Sequence, residues 1–286
     1  MAHSATMPAR TESNAAKMPV PREHGAWGLL LQPFAAGVLL AEEWNWLLWP
    51  ALALVLLGFV MREPLVVLAR QQFVWRSRNP QSQTAARWLA AELALTAICI
   101  AALAAHLPLG WLAGLVGTAG TLTVLAVWMT IKNRQRSLWL QILSAAGLAT
   151  TALLALLVTG QTVPVWGWLL WAVLTCHGAA SILVVHTRLD LKIGLRQGHT
   201  AVLPPGAFVP AGLQLLAAVG SASLGSPAAI PFAFSGLVAA VELWRLRTAQ
   251  NLQEPLMHVG LRALGVSIAH SLCTVAALWP LAHTSR

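Results

Sequence analysis

Nine runs of apolar residues divide the sequence, at about 25–42, 46–64, 87–106, 111–131, 137–158, 164–186, 204–221, 227–245 and 257–280. Each approaches the roughly 20 residues that cross the hydrocarbon core of a bilayer. Inside that core each must be helical, because only a helix satisfies its own backbone there. The pattern predicts an all-α, polytopic membrane protein of about nine transmembrane helices, forming one domain over 21–286. Residues 1–20 are polar, small and interrupted by Pro, and are expected to be a disordered tail. A cleaved signal peptide is the rival reading of the first run. That run holds Gln32 and Pro33, however, and ends in Ala41-Glu42-Glu43 rather than a small-x-small site.

The links between runs alternate in kind. "EEWN", "HLPLG", "TGQTVP" and "SASLGSP" are short and carry no Lys or Arg. The others are basic, and those after the second, sixth and eighth runs are also long. Of the 18 Lys and Arg residues, only Arg286 falls on the opposite side from the rest. By the positive-inside rule the N-terminus is expected in the cytoplasm and the C-terminus outside. Most Trp residues cluster near run ends (Trp44, Trp46, Trp49, Trp111, Trp166 and Trp168 at one side), as in an interfacial belt.

Composition agrees with the pattern. Hydrophobic residues make up 57% of the 286, and charged residues only 9%, against about 25% in soluble domains. Mean hydropathy is +0.68. The net charge of +9 is largely accounted for by topology, so no nucleic-acid partner is expected; the lipid bilayer is. Cys99, Cys176 and Cys273 stand alone in three runs and read as small buried hydrophobes.

Ionisable groups crowd the basic side. "PREHGAWG" places Arg22, Glu23 and His24 at the mouth of the first run. Arg62, Glu63 and Arg70 follow the second, and Arg134 follows the fourth. Arg188, Asp190, Lys192 and Arg196 follow the sixth, and Arg262 begins the ninth. A charge inside a span is costly and usually faces a cavity or a partner, so Glu92, Glu242 and Arg262 read as paired or functional. His177 and His270 read as neutral histidines bonded to neighbours, and Gln32 and Gln141 as interhelical hydrogen bonders. The layout implies a polar cavity open on the basic side. Arg22, Arg62, Arg70, Arg134, Arg188, Asp190, Lys192 and Arg262 are the candidates to hold an anionic, lipophilic ligand, since Arg forks hold phosphate-like groups. Glu23, His24 and Glu63 are the candidate acid–base groups. No metal or cofactor is expected: Asp190 is the only aspartate, too few carboxylates for a divalent cation site.

"PREHGAWGLLLQPF", "REPL" and "KNRQRS" resemble the YwiC-like family of bacterial membrane proteins. That family has no established activity; the resemblance implies a bacterial inner-membrane protein, in some cases associated with nitrate respiration. The helix layout is also similar to that of the UbiA prenyltransferases, with long basic links after helices 2 and 6. Their Asp-rich motifs, which hold Mg²⁺ and a prenyl diphosphate, are missing here: "REPLVVLAR" and "RLDLKIGLRQGHT" stand in their places. Three functions compete: a metal-independent enzyme or binder of an anion-headed lipophile, a transporter of a small anion, and a non-catalytic factor for a respiratory complex. Sparse mid-span Gly and Pro and the lack of a convincing repeat weigh against transport.

Overall fold

The computed structural model describes residues 24–41, 43–76, 80–200 and 202–284. All nine apolar runs are helical, and no strand occurs among the described residues. The first run is α1 (His24–Leu40). The second begins as α2 (Leu48–Val60) and continues through α3 (Arg62–Arg70) into a π-helical turn, Gln71–Trp75. Pro64 sits in the first turn of α3, where its missing N–H costs nothing. Arg76 then adopts a left-handed conformation (φ 48°) that ends the helix. Next come α4 (Pro80–Ala104), α5 (Leu109–Ile131), α6 (Leu138–Gly160) and α7 (Val165–Arg196). After a 3₁₀ turn at Pro205–Phe208 follow α8 (Val209–Ser223), α9 (Ala229–Arg245), the short α10 (Ala249–Gln253) and α11 (Leu256–Thr284).

Seven of these helical stretches are long and apolar enough to cross a membrane. The two shortest of the nine, α1 and α9, have 17 residues each. The sides of α4, α5 and α8 expose Leu93, Leu95, Ile98, Val124, Leu213 and Leu216, which suits a lipid-facing surface and not water. The chain is a multi-pass membrane protein.

At the centre stands α6, whose Ala152, Leu153, Ala155 and Leu157 are almost wholly buried. It packs against α1, α2, α5 and α7. A close backbone approach is at Gly37 of α1, where an added Cβ would lie 2.6 Å from the Ala152 carbonyl oxygen. Such contact between small residues lets two backbones approach without polar glue. α11 returns to pack on α1, α7 and α9, so the last helix lies beside the first. The two-helix hairpin α8–α9 is tied to this core through α7 and α11.

Candidate functional site

Two helices run further than hydropathy suggests. α7 continues ten residues beyond its apolar run to Arg196, so Arg188, Asp190, Lys192 and Arg196 lie on a helix and not in a loop. α4 begins at Pro80, seven residues before its apolar run.

The extension of α7 builds an ionic network with α9, α10 and α11. Arg262, in the second turn of α11, donates from Nε to Glu242 Oε1 (2.9 Å) and from Nη2 to Glu242 Oε2 (3.1 Å). Its Nη1 donates to Glu254 Oε1 at 2.7 Å. One guanidinium therefore grips two carboxylates, one of them through a bidentate fork. Arg188 is buried and donates from Nη2 to the Asn251 carbonyl (2.6 Å), with Glu254 Oε2 3.7 Å away. Arg245 lies 3.9 Å from Glu242. Asn251 in turn donates to the Arg245 carbonyl at 2.9 Å, which fixes α10 against the end of α9. Below the charges, Leu252 packs with Leu191, Leu243 and Leu246 in a small apolar cluster. The hydrogen bond from Arg262, with the charges of Arg262 and Arg188, holds the Glu254 carboxyl below its ordinary range.

Beside α10 lies an open pocket of about 320 Å³, lined by Lys192, Leu195, Arg196, Leu252 and Gln253. Lys192 and Arg196 are one turn apart, so both ammonium and guanidinium reach the same opening. Leu195 and Leu252 supply apolar wall.

Halfway along the bundle is a second polar group. His177 of α7 is bonded through Nδ1 to Ser235 of α9 (3.0 Å) and through Nε2 to Ser267 of α11 (3.3 Å). The His177 and His270 rings stack with centroids 3.9 Å apart and planes within 8°. A cavity of about 20 Å³, room for roughly one water molecule, lies against His177, Gln32 and Ser271. The expectation of hydrogen-bonded histidines is met at His177, and Gln141 is bonded across helices to His186 at 2.9 Å.

The remaining candidates are dispersed. Arg62, Glu63 and Arg70 are half-buried on α3, whose neighbours are α2, α4 and α5. Arg188 and Arg262, in contrast, belong to the α7–α9–α11 side. Arg134 is exposed in the turn between α5 and α6, and Asp190 is exposed on α7. Arg22 and Glu23 lie outside the described residues; His24 opens α1, and its side chain also lies outside them. Among the described residues, no group of three or more His, Cys, Asp or Glu side chains could hold a metal ion.

Sequence reasoning missed Glu254, Ser235 and Ser267. Glu254 falls in a link without periodicity, and its only signal is an opposite charge eight residues before Arg262. The serines are common residues in spans, and nothing in their spacing marks them.

No curated protein matches the chain. Residues 20–156, from the lead-in to α1 through most of α6, match the model of the family described as YwiC-like protein.

Proposed function

We propose that this protein binds a lipophilic molecule with an anionic head at the basic end of the bundle, in the bacterial inner membrane. The observation that carries the reading is the pocket beside α10. It offers two cationic side chains one turn apart on α7, a neutral donor in Gln253, and apolar walls in Leu195 and Leu252. Arg188, Arg245 and Arg262 nearby exceed their carboxylate partners Glu242 and Glu254 by one positive charge, which adds to the attraction for an anion. The described lining contains no acid, base or nucleophile other than Lys192 and Arg196, so the reading is one of binding in this pocket.

The basic end faces the cytoplasm in this reading, because 17 of the 18 basic residues belong to that side. A reporter fused after Arg286 is then active outside the cytoplasm. The binding test uses full-length protein in lipid nanodiscs and farnesyl diphosphate as probe, without divalent metal. Saturable binding is expected. The double substitution Lys192→Ala, Arg196→Ala should weaken it by at least about tenfold, the equivalent of about 1.4 kcal/mol. Farnesol should not bind; inorganic diphosphate should bind more weakly than the prenyl compound. Unchanged affinity in the double variant, or equal affinity for farnesol, overturns the reading.

A further inference from the structure

Glu92 is buried in the middle of α4, at 3% exposure, and neither of its carboxyl oxygens has a hydrogen-bond partner. Hydropathy places it one turn into a span. The true helix start puts ten residues of the candidate span Ser82–Ala104 before it and twelve after it. Either end is about 15–18 Å away at 1.5 Å per residue. It lies on the packed face of α4, seven residues after Ala85 and eleven before Leu103, both buried. The side chain therefore faces protein and not lipid.

The hydrogen bond between Ser82 and Gln71 sets the register of the α3–α4 hairpin. Ten residues along α4 from Ser82 is Glu92, and ten residues back from Gln71 is Met61. α4 packs against α2, α3 and α5. α2 and α5 carry no titratable residue; α3 carries Arg62, Glu63 and Arg70, and α4 itself carries Arg87 and Cys99. Arg62 comes level with Glu92 and has interactions of its own. None of these groups is hydrogen-bonded or ion-paired with Glu92.

A second observation points the same way. Hydroxyls of Thr118, Thr121, Thr123, Thr130 and Thr274 each donate to the carbonyl one turn earlier. Thr96, one turn after Glu92, does not: its buried hydroxyl has no partner. A carboxylate anion cannot be held here without a donor, because an uncompensated charge in low dielectric is the most costly state available. A carboxylic acid can, and the Thr96 hydroxyl one turn on, not hydrogen-bonded to it in this structure, has the chemistry both to accept from an acid and to donate to a carbonyl oxygen.

We propose that Glu92 is a membrane-embedded proton-binding site, a carboxylic acid that carries one exchangeable proton beside the Thr96 hydroxyl. An acid in a span is a functional group by default, and proton carriage is the role that suits one without a cationic partner. α4 and α7 are not among the packed helix pairs, so this site and the pocket beside α10 stand or fall independently.

The test is carbodiimide labelling of the full chain in lipid vesicles, read by peptide mass mapping. A protonated carboxyl adds across the carbodiimide C=N bond, its proton passing to nitrogen, whereas a carboxylate does not. Dicyclohexylcarbodiimide should modify Glu92, and the water-soluble analogue should leave it unmodified. Labelling should decline as pH rises from about 5 to about 9. Glu92→Gln should lose the adduct while keeping the wild-type unfolding temperature, and Glu92→Asp should retain it. Absence of the Glu92 adduct in wild-type protein, labelling that does not vary with pH, or equal labelling by the water-soluble reagent would each overturn the proposal. All three are read on unmutated protein, so a folding defect in a variant does not rescue it.

Discussion

Replacing Arg262 by Met keeps much of the length and apolar stem of the side chain and removes the guanidinium that joins α9, α11 and the α10–α11 link. Three hydrogen bonds of 2.7–3.1 Å are lost, leaving Glu242 and Glu254 facing each other. An exposed pair is worth about 0–1 kcal/mol. Removing one partner of a fully buried pair costs about 3–5 kcal/mol. Here the arginine side chain is 24% exposed and the carboxylates 20% and 21%, so the expected loss is about 2–3 kcal/mol by interpolation between those limits. For a chain of this size that is a fall of about 4–12 °C in unfolding temperature. The assay is intrinsic Trp fluorescence of detergent-solubilised protein during a thermal ramp. Arg262→Lys, which keeps the charge without the fork, should lose about half as much. The triple variant Arg262→Met, Glu242→Gln, Glu254→Gln should recover most of the loss, because neutral amides need no counter-charge. A fall of less than about 1 °C for Arg262→Met, or no recovery in the triple variant, would refute the view that the network is a partly desolvated tie.

Two further outcomes follow from the geometry. Gly37→Ala places a Cβ against the Ala152 backbone oxygen and should cost about 1–3 kcal/mol. Gly117→Ala, with nothing within 4 Å, should be neutral or slightly stabilising in the same thermal ramp. The depressed carboxyl of Glu254 contributes stability that is present above its ordinary value of 4.5 and is lost as pH falls through its folded value. The wild-type unfolding temperature should therefore hold from about pH 7 to about pH 5 and decline below that, and Glu254→Gln should flatten this part of the decline.

The sequence announced helices readily and their ends poorly. Runs of Leu, Ala and Val mark hydrocarbon-crossing segments because the bilayer itself demands them. Once a helix leaves the hydrocarbon, only propensity and packing hold it, and hydropathy is blind to both. That is why the ten residues from Thr187 to Arg196 read as a loop, and why the start of α4 was missed. That Glu242 and Arg262 each need a partner or a function was legible, because isolated charges in apolar runs are costly; that they partner each other was not. Nor was their third partner, since Glu254 lies in a polar link like any other. The grouping of Arg62 with Arg188 in one cavity rested on both following long apolar runs; α3 and α7 have different neighbours, which only tertiary packing decides.

The adjacency of α1 and α11 also has a consequence for biosynthesis. Roughly 200 residues separate the end of α1 from the start of α11, which takes about 10–40 s to translate at ordinary rates. From about halfway through that interval, once α6 has been made, α1 can settle on it, but the side that α11 will cover still faces lipid or a chaperone. Glu242 and Glu254 emerge before Arg262, so two acids wait for their arginine at the end of the bundle. A ribosome that stalls after α9 would leave Glu242 with Arg245 but without Arg262, and an uncovered face on α1. Such a fragment is a ready substrate for membrane quality control, and completion of the final helix is the step that closes the bundle.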